Sequence, residues 1–241
     1  MRMLALDTSS VMTSVAVLAD TEVLAQARHE DARGHLEALA PLVAQVISDR
    51  QPIDVIACGV GPGPYSGLRV GLATAAMLGL SWQVPVFGIC SLDAIAAAVL
   101  AAGAGAQGFS VAADARRREE YWASYDASGV RVAGPSVQRQ DVRHEGRWFG
   151  VRGTSSDGQC DATVYPDAAW IGRVALAALG GTTDAQRRVM AEDLECEPAV
   201  ELSAHGTDDG YTARHSAGRM LLPVRPLYLR RADVHQGGRS A

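Results

Sequence analysis

The sequence predicts a mixed α/β fold made of two tandem βββαβαβα units, the second degenerate. Three observations carry this. Apolar runs of strand length alternate with stretches whose apolar residues recur at helical spacing. That alternation fills residues 1–102 and begins again at Phe109. An Asp closes the first strand of each unit, Asp7 in one and Asp114 in the other.

Residues 3–7, Met-Leu-Ala-Leu-Asp, read as a buried strand stopping at the polar turn Thr8-Ser9-Ser10. Residues 13–18 and 22–28 form a hairpin about Ala19-Asp20-Thr21. From Gly34 to Arg50, residues Leu36, Leu39, Ala40, Val43, Val46 and Ile47 have helical spacing, and Pro41 is expected to kink the helix or delay its start. Val55-Ile56-Ala57-Cys58 is a short buried strand. A Gly/Pro loop then leads to a helix over 66–81, a strand over 84–89 and an Ala-rich helix over 91–102. The second unit starts with an apolar strand from Phe109 to Asp114. It continues with a hairpin of residues 121–125 and 130–137 about Asp126 to Gly129. Residues 148–151 read as a further strand and 168–179 as a helix, while 180–223, rich in Gly, Asp and Thr, receive no elements. A join near Gly103 to Gly108 divides the chain into residues 1–104 and 105–241.

Composition narrows the chemistry. All 22 basic residues of this 241-residue chain are Arg, and neither Lys nor Asn occurs. A phosphate loop ending in Lys-Ser/Thr, a Schiff-base Lys and a Cys-His-Asn system are therefore excluded. A net charge of -5 argues against a globally basic nucleic-acid binder. Cys58, Cys90, Cys160 and Cys196 form no Cys-x-x-Cys pair, and Cys58 and Cys90 sit in apolar runs. A reducing, cytoplasmic setting is expected, with no signal peptide and no membrane span. Arg116-Arg117-Arg118, followed by Glu119 and Glu120, read as a solvated turn; a further Arg-rich stretch covers 139–152, and the tail from Arg225 reads as a solvated terminus, with contact to tRNA or a partner as the other reading.

The sharpest local signal is Gly59-Val60-Gly61-Pro62-Gly63-Pro64-Tyr65-Ser66-Gly67-Leu68-Arg69-Val70-Gly71. Glycines ahead of a helix can present backbone N–H groups to an anion. They equally suit a tight strand-to-helix turn with close neighbours, the commoner use, and the string alone leaves both open. Helices 34–50 and 66–81 are apolar over more than one stripe, which fits either a core helix or one that also meets a partner.

Two such units, each with an Asp closing its first strand, resemble the actin/hexokinase/Hsp70 superfamily of two-lobed, RNase H-like nucleotide-binding proteins. The string Gly-Pro-Gly-x-x-x-Gly-Leu-Arg-x-Gly, carried by Gly61, Pro62, Gly63, Gly67, Leu68, Arg69 and Gly71, is similar to the signature of the TsaB (YeaZ) family. Leu4 to Ser9, His35-Leu36-Glu37, Val84-Pro85-Val86 to Ser91-Leu92, and Pro226 to Arg231 agree in order. The likeness is dense over 1–102, patchy over 109–180 and absent over about 185–222.

The resemblance implies a non-catalytic subunit in tRNA threonylcarbamoyladenosine synthesis that pairs with TsaD, or with a second copy of itself, through these two helices. The interface residues it implies are His35, Leu36, Leu39, Val43, Val46, Arg69, Leu72 and Ala76. A TsaC-type synthase would make the activated threonylcarbamoyl group, TsaD would transfer it, TsaE would supply ATP hydrolysis, and tRNA would be met only through the complex. Asp7, Thr8 and Ser9 would be a vestigial nucleotide turn. Active members of the superfamily place Gly after the first Asp, whereas Asp7 is followed by Thr8-Ser9-Ser10 and Asp114 by Ala115-Arg116-Arg117-Arg118. No cofactor is assigned to this chain, and a nucleotide at the partner junction stays open. No metal site is expected either: TsaD carries a His-x-x-x-His pair, and here His29 and His35 are out of that spacing. The alternatives are a stand-alone kinase or ATPase of the same fold, or a homodimer acting outside tRNA modification.

Overall fold

A computed structural model describes residues 1–31, 34–47, 52–142, 146–151, 160–183, 186–188, 190–191, 202–204, 211–213 and 221–229. Cys196, Arg230, Arg231 and most of the unassigned stretch 180–223 lie outside the described residues.

The first 101 residues give β1 (Arg2–Asp7), β2 (Met12–Ala19), β3 (Glu22–Glu30), α1 (His35–Val46), β4 (Val55–Gly61), α2 (Tyr65–Trp82), β5 (Val86–Cys90) and α3 (Ser91–Ala101). This is the expected βββαβαβα order. The strands form one sheet in the order β3-β2-β1-β4-β5, antiparallel across the β1–β2–β3 meander and parallel across β1, β4 and β5. Strand alternation then sorts the side chains. Leu4, Leu6, Val15, Val17, Ile56 and Cys58 face α1 and α2, while Met3, Ala5, Ala16, Leu18, Val55 and Ala57 face the opposite side. Both faces are covered, which is why these strands read as nearly unbroken apolar runs. Helix α1 runs through Pro41, which lies on its exposed side.

The second sheet comprises β6 (Phe109–Arg116), β7 (Glu119–Tyr125), β8 (Arg131–Arg139), β9 (Trp148–Gly150), β10 (Leu202–Ala204) and β11 (Tyr211–Ala213), ordered β10-β11-β8-β7-β6-β9. Strands β6, β7 and β8 repeat the meander, and β9 adds in parallel to β6 as β4 does to β1. The β6–β7 connection is a two-residue turn with Arg117 and Arg118 at positive φ, the φ signature of a type I′ hairpin, and Arg116 before it is also at positive φ. Left-handed backbone costs roughly 1–2 kcal/mol for each residue with a side chain.

Helix α4 (Ala168–Leu179) follows β9 in sequence yet packs on the first sheet. Ala168, Ile171, Ala175 and Leu179 cover Met3, Ala5 and Leu18. A Cβ on Gly172 would lie 2.5 Å from Leu18 Cδ1, so the helix sits as close to β2 as a glycine permits. Its N-terminus is pinned by polar contacts. Asp167 Oδ1 accepts from the Ala169 amide at 2.9 Å and from Gln26 Nε2 at 2.7 Å, and Arg28 Nε meets Oδ2 at 2.7 Å. The Ala168 amide donates to Ser14 Oγ at 2.9 Å. Helix α3 links the two sheets: partly buried Asp93 accepts from Tyr125 OH at 2.7 Å and Arg131 Nη1 at 3.2 Å. Among the described residues, no helix is long and apolar enough to cross a membrane.

Candidate functional site

Strand β1 ends by delivering Asp7 into the interior. Its Oδ1 accepts from the Ser9 amide at 2.8 Å and Ser9 Oγ at 2.7 Å, and its Oδ2 accepts from Ser91 Oγ at 2.7 Å. Ser91 Oγ in turn accepts from the Gly61 amide at 3.2 Å. One carboxylate thus ties the end of β1 to the first residue of α3 and the last of β4. Burial pushes the Asp7 carboxyl above its ordinary value, and the hydrogen bonds from Ser91 and Ser9 pull it part of the way back.

The glycines of the motif close over this turn. A Cβ would fall 1.8 Å from Asp7 Oδ2 at Gly59, 2.3 Å from Ser9 O at Gly63, 2.6 Å from Thr8 O at Gly67 and 2.3 Å from Thr8 Oγ1 at Gly71. Thr8 Oγ1 donates to Gly67 O at 2.8 Å. Asp7, Thr8 and Ser9 are all buried beneath α2 and its preceding loop. Of the two uses the sequence left open, the geometry is that of close approach between two backbones. Helix α2 lies directly against the turn, with Gly67 and Gly71 facing Thr8.

His35 stands at the start of α1, buried, with Nδ1 2.6 Å from Thr13 Oγ1 and its ring beside Gly67. Burial makes this imidazole harder to protonate; Asp31 opposes that effect and His29 adds to it. The side chain locks α1 to β2 and α2 and is turned inward.

The other expected interface residues divide by helical face. Leu39, Val43 and Val46 of α1 and Leu72 of α2 are buried in the core over the first sheet. The side chains of these four, like that of His35, are packed within the chain. Leu36, Arg69 and Ala76 are exposed. Ala40, whose spacing was helical, is exposed as well, and so are residues that spacing did not single out: Ala44 on α1, and Tyr65, Ala73, Met77 and Leu80 on α2. Leu36, Met77 and Leu80 are 71%, 66% and 77% exposed.

Two motifs distant in sequence meet at the start of α2. Residues 221–229 run beside β4 and β5, with Leu222 and Gly88 exchanging backbone hydrogen bonds at 2.8 Å and the Leu227 amide donating to Val60 O at 2.8 Å. Tyr228 thereby stacks on Tyr65 with ring centroids 4.8 Å apart, and the Arg69 guanidinium lies 4.9 Å from the Tyr65 centroid. Gly180 and Gly181 close the C-terminal end of α4, where Thr182 Oγ1 donates to Leu179 O at 2.6 Å.

The family model for TsaD, tRNA N6-adenosine threonylcarbamoyltransferase, matches residues 22–143. An uncharacterized Mycobacterium leprae protein is 42% identical over 143 residues, 56% of this chain and 38% of that protein. The chain spans between 38% and 63% of the length of the mycobacterial relatives it matches. The tRNA threonylcarbamoyladenosine biosynthesis protein TsaB of Escherichia coli is 33% identical over 167 residues, 63% of this chain and 71% of that protein. Among solved structures, a Pseudomonas aeruginosa protein described as similar to the peptidase YeaZ aligns with TM-score 0.62 at 27% identity, over 77% of this chain and 95% of that one. Spanning 71% of Escherichia coli TsaB at 33% identity and following the YeaZ backbone nearly end to end, the chain belongs to the TsaB (YeaZ) family and has its actin-like, RNase H-like fold.

Proposed function

We propose that this chain is a non-catalytic subunit in the synthesis of tRNA threonylcarbamoyladenosine, docking a TsaD-type transferase through the exposed faces of α1 and α2. In this reading the two sheets are tandem actin-like lobes, residues 1–104 and 105–241, in a cytoplasmic assembly. The observation that carries it is the surface of α2. From Val70 to Trp82 the helix contains no charged residue, yet Ala73, Ala76, Met77 and Leu80 stand in solvent with Leu36 on the neighbouring helix. An uncharged helical face with large exposed apolar side chains is what a protein partner covers. The Tyr65–Tyr228 stack under Arg69 adds a rigid aromatic and cationic anchor of the kind concentrated at interface centres.

The chemistry would belong to partners: transfer to TsaD and ATP hydrolysis to TsaE. Burial of Asp7, Thr8 and Ser9 under α2 supports this and weighs against a stand-alone kinase, which needs the first turn open to a phosphate. The role left to this chain is a contact that favours the competent conformation of its partner.

The test is Ala76→Arg with Leu80→Asp. Both positions are exposed, so the variant is expected to keep the wild-type melting temperature within about 2 °C while losing co-elution with the cognate TsaD and tRNA modification in the same fractions. A complex that forms normally with this variant overturns the proposed face. A variant that still pairs with TsaD but loses a homodimer assigns the face to self-association instead.

A further inference from the structure

We infer that an apolar groove at the C-terminal end of α2 receives a segment of the docked partner in which a large apolar side chain stands beside a carboxylate. The inference rests on the reading that a protein partner covers α2. The groove has a volume of about 680 Å³, within the range of binding clefts. It is lined by Ala76 and Leu80 of α2 and by Val84, Pro85, Val86 and Val224. Ala76 and Leu80 also belong to the exposed face of α2, so face and groove form one surface. A partner seated on α2 reaches the groove without leaving that surface.

The charge at the margin decides what the occupant carries. Arg188 lines the groove, is exposed, and donates from Nη2 to Gln83 O at 2.8 Å, which fixes its guanidinium at the end of α2. Among the described residues no carboxylate lines the groove, and α2 has no charged residue from Val70 to Trp82. A guanidinium steadied by a neutral carbonyl beside an apolar lining is complemented by a carboxylate next to an apolar anchor. A wholly apolar occupant would cover the guanidinium without supplying a counter-charge, and a basic one would be repelled.

The backbone at this end of α2 is already engaged. The Val84 amide donates to Gly79 O at 3.0 Å, Pro85 has no N–H, and Pro85 O accepts from the Ile56 amide at 3.0 Å. A partner strand therefore finds no ladder to extend along Val84-Pro85, and recognition falls to side chains. The walls are also held together: a Cβ on Gly79 would fall 2.2 Å from Val86 Cγ2, so α2 sits tightly on the start of β5.

The test uses the full chain and its cognate TsaD-type transferase, with affinity measured by calorimetry at low and high salt. Arg188→Gln keeps a donor for Gln83 O and removes the charge. It is expected to weaken the complex about tenfold at low salt and to flatten the salt dependence. Arg188→Lys keeps the charge and should stay within about threefold of wild type. An arginine that only steadied the end of α2 would leave the salt dependence unmoved. Ala191→Trp fills the groove without altering α2 and is expected to weaken binding about tenfold. The two Arg188 variants decide the question even where Ala191→Trp fails to fold. Benzoylphenylalanine in place of Ala191, irradiated in the purified complex, should crosslink to a transferase peptide with an apolar residue beside an Asp or Glu. A crosslink to this chain itself, to a second copy of it, or to a segment without a carboxylate overturns the inference. So does an Arg188→Gln protein with wild-type affinity and salt dependence. Where the wild-type complex forms, those results remove the groove contact and leave the proposed function standing. A wild-type chain that forms no complex with the transferase removes both.

Discussion

Asp7 accepts its hydrogen bonds from Ser9, two residues away, and from Ser91, which is 84 positions along the chain. The nearer partner was legible as a polar turn after a strand. The farther one was not, because nothing in the local pattern at Ser91 marks it as a donor to Asp7. Gly59 makes the same point, since its missing Cβ is required by a carboxylate on a different strand. Glu120 offers a direct measurement at this scale. Its folded carboxyl sits at about 7 against an ordinary 4.5, because it is buried. The folded state therefore holds this proton more tightly than the unfolded chain. Its stabilising effect is whole below about pH 4.5 and is lost as pH rises through about 7. Glu120→Gln keeps an oxygen for Gln138 and carries no titrating proton. Relative to that variant, wild type is expected to lose up to about 3 kcal/mol between pH 4.5 and 7.5, measured by urea unfolding at each pH. A constant difference across the range overturns this account of Glu120.

Among the elements, helices α1 and α2 were recognisable from their periodicity, and the stop at Asp7 and the loop before α2 from their turn residues. Their ends moved by a few residues. Helix α1 stops at Val46 and not near Arg50, and β8 runs on to Arg139. Which stripe of each helix meets the sheet was not legible. Both helices are apolar over more than half their circumference, so a hydrophobic residue does not declare its side. The structure assigns Leu39 to the core and Ala76 to the surface, and the two positions should respond in opposite ways to charge. Leu39→Asp places a carboxylate among Leu4, Val15 and Ile56 and is expected to cost about 3–5 kcal/mol or prevent folding, seen as loss of the cooperative melting transition. Ala76→Arg leaves the transition in place. A folded Leu39→Asp protein would mean that α1 is not seated as described.

At the scale of the whole molecule, chain order and spatial neighbourhood part company. Helix α4 comes after the second sheet's first four strands and covers the back of the first sheet, and residues 221–229 return to the edge of β5. The two halves of the sequence are thereby interlocked. Gly172→Val forces two methyls against Leu18 and Ala5. It is expected to cost about 1–3 kcal/mol and to speed hydrogen exchange in β1 and β2, far from the substitution in sequence. Exchange that rises only within α4 would show that the helix is not essential to that face.

By itself the sequence determined the alternation of strands and helices, the repeated meander ending in an acidic residue, and the glycine-rich string that ties the chain to its family. These are local patterns, set by side-chain period and turn chemistry within a dozen residues. The tertiary structure alone decided that the motif glycines close over the Asp7 turn, that Leu39 is inside while Leu80 is outside, and that Glu120 is buried. Each of those is a question of which surface is buried against which. Burial depends on residues brought together from distant parts of the chain, where no sequence window reaches.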